Sequence, residues 1–280
     1  MSEPLRIAAC DGCRLGATLY LPPAANGRAV LVNSAAGVKQ TYYAKFAGYL
    51  AGRGFTVLTY DYRGIGESRP RSLRGFAARM SDWIGADAAG ALAALEAAAP
   101  GARRLAIGHS IGGHAIGYGL SGALDAALTV GSQNAYWKHW SGTQRAGVWF
   151  MVHAGLPLLA RLFGYFPSRL LGQGEDLPMA ATVEWAGWCR HPRYLVGALG
   201  VERSYARFAA PLRAYAISDD GLAPQRAVAA LLELFPSAKS ELRSVTPQEV
   251  GAEAIGHFGF FRERFRDTLW REAADWLERQ

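Results

Sequence analysis

The sequence predicts an α/β fold, a mostly parallel central sheet with helices on both faces. Three observations predict it. Short apolar runs of strand length alternate with longer helical stretches along most of the chain. One of these runs ends in Gly108-His109-Ser110-Ile111-Gly112, a G-x-S-x-G pentapeptide between a strand and a helix. The rhythm breaks once, over residues 132–206, and then resumes. Strands that are apolar throughout suit a parallel sheet covered on both sides.

In chain order, Leu5 to Ala9 and Leu15 to Leu21 flank an Asp11-Gly12 turn and read as a β-hairpin, which Pro22-Pro23 ends. Ala29 to Asn33 is an apolar strand. The loop Ser34 to Gly37 leads to a helix over about 39–53. Thr56 to Asp61 is the next strand, followed by the loop Arg63-Gly-Ile-Gly-Glu-Ser68 and more loop up to Arg79. An alanine-rich helix over about 81–98 begins near a Ser81 or Asp82 cap. The strand 104–108, a helix 111–121 and a strand at about 126–131 follow. Beyond the interruption come a strand from Leu212 to Ile217, a loop from Ser218 to Pro224 and a helix over 225–235. Lys239 to Val245 alternates as an edge strand does. A last helix, about 263–279, places Phe265, Leu269, Trp270, Ala273 and Leu277 on its inner face.

The 280 residues suffice for one large α/β domain or a domain with an insertion. A hydrophobic content of 50% with 19% charged residues describes a folded chain rather than a disordered one. The net charge of +7 is spread over scattered arginines, so no nucleic-acid arm is expected, though weak attraction to anionic substrates or membrane surfaces fits. The N-terminus has no signal-peptide pattern, and no uninterrupted apolar stretch reaches the ~18 residues of a membrane span. The nearest approach, Ala146 to Ala160, contains His153 and Pro157. The expectation is a soluble, cytoplasmic protein without a transmembrane segment. Cys10, Cys13 and Cys189 are too few for a disulfide framework. Cys10-Asp-Gly-Cys13 lies on a hairpin turn without the helix of a redox motif or the second ligand pair of a zinc site.

Residues 132–206 hold five of the eight tryptophans: Trp137, Trp140, Trp149, Trp185 and Trp188. With helical stretches and no clear strand, the segment reads as a helical cap, or lid, inserted into a core made of 1–131 and 207–280. Its tryptophans either pack the cap onto the core or line an apolar substrate pocket above Ser110.

The pentapeptide carries the chemistry. A strand that reverses at once into a helix crowds the residues flanking the turn, which calls for glycine there. It also holds the turning residue in a strained geometry that presents its hydroxyl. Serine needs a base, most often histidine, and the histidine needs a carboxylate to orient it. Ser110, an acid near 219–220 and His257 occur in the order Ser…Asp…His. Of the six histidines, only His257 falls in a glycine-flanked loop after the last strand. His109 lies inside the elbow, His114 follows it, and His139, His153 and His191 belong to the cap.

With these residues in view, the chain resembles the α/β-hydrolase superfamily. Asp61-Tyr-Arg-Gly-Ile-Gly-Glu-Ser68 resembles its loop after the fourth strand, Gly108 to Gly113 its nucleophile elbow, and Gly256-His257-Phe258 its histidine loop. The resemblance covers essentially the whole chain outside the cap, and the nearest group is one of bacterial hydrolases of the serine-aminopeptidase-like type. It implies Ser110 as nucleophile, His257 as base and an acid in a loop that often reads Asp-x-x-x-Pro. Asp220 with Pro224 fits that spacing, with Asp219 as the alternative. Asp61 precedes Ser110 and reads as an anchor of its own loop. The oxyanion hole is expected from backbone N–H groups, Ile111 first and Ala35 second, with Ala36 as the alternative to Ala35. The loop Asn33-Ser-Ala-Ala-Gly37 departs from the His-Gly that many members carry there.

The function expected is a serine hydrolase that cleaves the ester of a small or medium, largely apolar acyl group through an acyl-enzyme. The same groups would serve an acyltransferase, or an amidase or aminopeptidase in which Glu175, Asp176 or Glu184 anchors a free amine. A non-catalytic binding protein on the same fold is the third reading. No Walker A lysine, dinucleotide fingerprint or H-E-x-x-H is present, so neither cofactor nor metal is expected.

Overall fold

A computed structural model gives the structure of residues 1–172 and 174–280. The eight-stranded sheet begins with β1 (Ser2–Ala8) and β2 (Arg14–Tyr20), an antiparallel hairpin. It continues through β3 (Arg28–Asn33), β4 (Thr56–Tyr60), β5 (Arg103–His109) and β6 (Ala126–Val130). A two-residue pair, β7 (Tyr165–Phe166) and β8 (Leu177–Pro178), forms a separate antiparallel ladder. The main sheet ends with β9 (Pro211–Ile217) and β10 (Lys239–Val245). Its strand order is β1-β2-β4-β3-β5-β6-β9-β10, and every pairing from β4 to β10 is parallel. The α/β-hydrolase sheet expected from the sequence is therefore present.

The helices flank it. They are α1 (Ala44–Gly52), α2 over 80–98 with one wide turn at its start, and α3 (His114–Gly117). Between β6 and β9 come α4 (Gly142–Phe163), α5 (Met179–Trp188), α6 (Tyr194–Leu199) and α7 (Glu202–Arg207). The chain closes with α8 (Gln225–Leu232), the single turn α9 (Gly256–Gly259) and α10 (Arg271–Glu278).

Successive residues of β3 feed opposite faces, as a strand requires. Ala29 and Leu31 pack with Ile84, Ala88 and Leu92 of α2, whereas Val30 and Val32 pack with Phe46 and Leu50 of α1 and with Trp270 and Leu277 near the C-terminus. Burying both faces leaves the C-terminal ends of the parallel strands as the open rim, where ligands bind in such sheets.

Four details differ from the sequence reading. The helix after the elbow stops at Gly117, four residues early, in the glycine-rich run Gly117-Tyr-Gly-Leu-Ser-Gly122, where Gly122 takes φ +79°. The helix α2 has Arg79 at its cap position, with Ser81 and Asp82 inside the first turn. The Asp82 carboxylate accepts the Arg79 N–H at 2.8 Å. The segment 132–206 contains the short pair β7–β8, too brief to leave an alternation pattern. Finally, α4 runs for 22 residues and is long and apolar enough by length and composition to cross a membrane. It nonetheless packs Val152, Leu156, Pro157 and Ala160 against the protein, and so lies along the molecule.

Candidate active site

The elbow has the geometry its glycines demand. Ser110 sits at φ +53°, a left-handed conformation that non-glycine residues seldom adopt. A Cβ on Gly108 would overlap the Gly113 backbone, and one on Gly112 would overlap the Asn33 carbonyl oxygen. The turn thus brings β5 against both its own helix and the end of β3, because β3 and β5 pair in register up to Asn33 and Gly108.

His257 stands on α9 beyond the end of β10, its Nδ1 2.7 Å from Asp220 Oδ2. The Asp220 side chain is fully buried, and its other oxygen accepts the N–H groups of Leu222 (2.8 Å) and Ala223 (2.9 Å). These bonds aim the carboxylate at the imidazole. Asp219 turns the other way and accepts the N–H groups of Ile255 (2.9 Å) and Gly256 (3.0 Å), tying down the chain that carries His257. Gly131, at the end of β6 with φ +58°, leaves room for this pair. A Cβ there would lie 3.1 Å from both Asp220 Oδ2 and His257 Nδ1. Ser110 and His257 line one cavity, and no hydrogen bond joins them. Catalytic hydrogen bonds are often long before substrate enters.

The loop after β3 departs from expectation. The Ala35 N–H is donated to Tyr43 Oη at 2.9 Å, deep in the core, and so is not aimed at the cavity. Ala36, whose N–H has no partner among the described residues, lines the cavity beside Ile111. Ala36 therefore replaces Ala35 as the candidate second donor. Tyr43 Oη lies 2.8 Å from His109 Nδ1, and His109 Nε2 lies 2.9 Å from the His257 carbonyl oxygen. Burial drives the His109 pKa well below the ordinary histidine range, with nearby His257 acting in the same direction, so the ring is neutral. A carbonyl can only accept, so Nε2 carries the proton and Nδ1 accepts from Tyr43. Sequence reasoning placed His109 inside the elbow but carried no signal for Tyr43. The pairing spans 66 residues.

The cavity measures about 1090 Å³ and is mostly apolar. Of the five tryptophans, Trp140 and Trp185 line it. Trp140 Nε1–H is donated to the Gly221 carbonyl at 2.9 Å. Trp188 is buried away from the cavity, Trp137 packs beside Lys138 and His153, and Trp149 is exposed and stacked on His153. Sequence spacing alone gives no side to an aromatic in an irregular segment, so these three are corrected. From α4, Val148, Met151, Val152 and Leu156 reach the cavity.

The acidic residues near the cavity are engaged. Glu175 pairs with Lys39 (3.3 Å), Arg69 (3.5 Å) and Arg169, and Asp176 with Arg69 (3.1 Å). Burial would raise the Glu175 pKa, but Arg169 and Lys39 together hold it below the usual range. Glu184 accepts from the Ser81 N–H and hydroxyl, both at 2.9 Å. The Glu175 N–H is donated to the Gly37 carbonyl at 2.8 Å, which ties the loop after β3 to the chain following α4. Asp61 accepts from the N–H groups of Gln40 (2.7 Å) and Glu67 (2.9 Å) and so anchors its own loop, far from His257's partner. Among the described residues no group of His, Cys, Asp or Glu is placed to hold a metal, and all three cysteines are free.

The family described as serine aminopeptidase, S33, matches residues 25–171. No curated protein matches the sequence. Solved structures match over the whole chain. The esterase domain of a Rhodothermus marinus protein is 18% identical and aligns over 100% of this chain and 99% of its own, with a TM-score of 0.59. A Pyrococcus furiosus esterase is 16% identical over 100% and 91%, with a TM-score of 0.64. A hypothetical protein from Pseudomonas aeruginosa is 15% identical over 100% and 93%, with a TM-score of 0.66. At these identities the likeness is one of fold.

Proposed function

We propose, starting from the fact that the chain belongs to the serine aminopeptidase S33 family of α/β-hydrolases, that it hydrolyses carboxylic esters through an acyl-enzyme on Ser110. The observation that carries this is the buried His257–Asp220 pair, 2.7 Å between Nδ1 and Oδ2, facing the same apolar cavity as the strained Ser110. His257 Nε2 takes the Ser110 proton as Oγ attacks the carbonyl carbon, and returns it to the leaving alcohol. Water, activated by the same nitrogen, then releases the acid. Asp220 keeps the imidazole in the tautomer that accepts at Nε2. The N–H groups of Ile111 and Ala36 receive the oxyanion, each such donor contributing about 3 kcal/mol at the transition state.

The segment 132–206 acts as a cap whose Trp140, Val148 and Met151 supply an apolar wall for an uncharged acyl group of modest length. That the Rhodothermus and Pyrococcus relatives are esterases agrees with this reading. An aminopeptidase would need an unpaired acid for the substrate amine, and Glu175, Asp176 and Glu184 are already engaged by arginine, lysine or serine. Transfer of the acyl group to another acceptor would use the same residues.

Labelling with a fluorophosphonate, followed by mass spectrometry, tests the assignment. An adduct on Ser110, absent from Ser110→Ala, together with turnover of a short p-nitrophenyl ester, is the expected result. A folded protein that takes no adduct and binds esters without cleaving them would be a binding protein on this fold.

A further inference from the structure

Among the described residues, the outer face of α4 has no partner. Trp149 (46% exposed), Phe150 (56%), Leu158 (64%) and Leu162 (72%) point away from the protein, while Val152, Leu156 and Ala160 of the same helix are buried. Phe150, Ala154, Leu158 and Leu162 follow one another at intervals of four, which lays them along one stripe of a helix. Leu170, after α4 in the chain, is exposed as well, and Leu222 and Phe258 are exposed at the cavity wall. Single exposed apolar residues are ordinary, but a stripe of them along one helix marks an interaction surface.

The charges carried by the segment that contains this face are of one sign. From Ala126 to Gly174 there is no Asp or Glu, whereas Lys138, Arg145, Arg161 and Arg169 are all exposed. Among the described residues Lys138, Arg145 and Arg161 have no ion-pair partner, and Arg169 is paired with Glu175. Aromatic and aliphatic side chains beside unpaired basic ones, on a helix lying along the molecule, are what an interfacial helix presents to a lipid surface. A second copy of the chain fits poorly. Pairing this face with itself would bring Lys138, Arg145 and Arg161 of the two copies together, and residues 126–174 supply no carboxylate to meet them.

We infer that α4 docks on an anionic lipid surface, with Phe150, Leu158 and Leu162 entering the acyl boundary and Lys138, Arg145 and Arg161 meeting the headgroups. The helix then rests in the interface plane rather than spanning it, since its inner face stays on the protein. The other face of α4 lines the cavity through Gly147, Val148 and Met151, so docking places the cavity wall against the lipid. Acyl substrates dissolved in the membrane would then reach Ser110 without crossing water. That last consequence rests on the proposed hydrolase reading, whereas the docking does not.

Sedimentation with lipid vesicles tests it. Full-length protein, with Ser110→Ala alongside, is mixed with phosphatidylcholine vesicles and with vesicles in which about a third of the lipid is phosphatidylglycerol. Both proteins are expected to bind the anionic vesicles at least about tenfold more strongly than the neutral ones, and to lose most of that binding in high salt. The double variant Leu158→Gln/Leu162→Gln, altered at exposed positions outside the cavity lining, should bind about tenfold more weakly. Its melting temperature and its rate on a short soluble ester should be unchanged. Absence of binding to anionic vesicles by the unmodified chain would overturn the inference, as would equal binding by the double variant. A solution dimer that the double substitution converts to monomer would assign the face to a second copy instead. Binding is read by Ser110→Ala as well, so loss of esterase activity alone leaves this result standing.

Discussion

Tyr43 Oη bridges two loops that the fold brings together from opposite ends of the chain. It accepts the Ala35 N–H and donates to His109 Nδ1, and the His109 Nε2–H is donated to the carbonyl of His257. Every proton in this chain has one direction, because it starts at an amide donor and ends at a carbonyl acceptor. The loop that carries Ala36 and the turn that carries His257 are therefore held by the same two buried side chains. Tyr43→Phe leaves the Ala35 N–H and His109 Nδ1 without partners in a dry site. It should cost about 1–3 kcal/mol of stability by urea denaturation. The kcat for ester hydrolysis should fall while KM changes little, since the cavity wall is untouched. A KM effect with unchanged kcat would show that Tyr43 shapes the pocket instead.

The two adjacent aspartates should separate cleanly. Asp220→Asn keeps the shape but loses the charge and the tautomer control at His257 Nδ1, so kcat should fall by about 10⁴. Asp219→Asn weakens the acceptor for Ile255 and Gly256 and should cost roughly tenfold or less. Steady-state kinetics of both variants on one ester decides the matter, and equal losses would mean the carboxylates share the role.

Strain at Ser110 can be read from stability. Both Ser110→Ala and Ser110→Gly should abolish the proposed acylation, but only glycine tolerates φ +53° without a Cβ penalty. Ser110→Gly should be more stable than Ser110→Ala by about 1 kcal/mol in matched denaturation curves. The reverse order would mean the turn relaxes when the hydroxyl is removed.

His114 gives a prediction in pH. It is buried between Tyr205 Oη (2.8 Å) and the Gln133 carbonyl (2.9 Å), and burial pushes its pKa down to about 4 from 6.5. Below pH 6.5 the unfolded chain takes up a proton that the folded one refuses, so this residue's contribution to stability falls as the pH drops towards 4. In His114→Gln that dependence is gone. The stability advantage of the unmodified chain over the variant should shrink by about 3 kcal/mol between pH 7 and pH 4. Burial raises Asp87 to about 6 and contributes the opposite slope, but it does so in both proteins and cancels in the comparison.

The inner strands were legible because burial on both faces makes each a run of apolar residues. Lys239 to Val245 is the edge strand expected, but it is exposed over its first four residues instead of alternating. The elbow was legible because sterics allow only glycine at positions 108 and 112. Asp220 was favoured over Asp219 because its spacing to Pro224 fits the Asp-x-x-x-Pro loop that the resemblance implies, and it is Asp220 that meets His257. The loop after β3 was not legible to the level of one amide. Whether Ala35 or Ala36 faces the cavity depends on Tyr43, which reaches in from the next helical turn. The exposure of Trp149 and the burial of Trp188 were likewise hidden. Both depend on how α4 and α5 lie on the core, and that orientation is a tertiary property with no local signature.

The amide of Glu175 on the carbonyl of Gly37 works as a pin. It fastens the trailing part of residues 132–206 to the loop that carries Ala36, and the arginines and lysine around Glu175 reinforce that edge. Residues 142–150, by contrast, bury no side chain, so the two ends of the segment are held very unequally: one by a backbone hydrogen bond and ion pairs, the other by its surface alone.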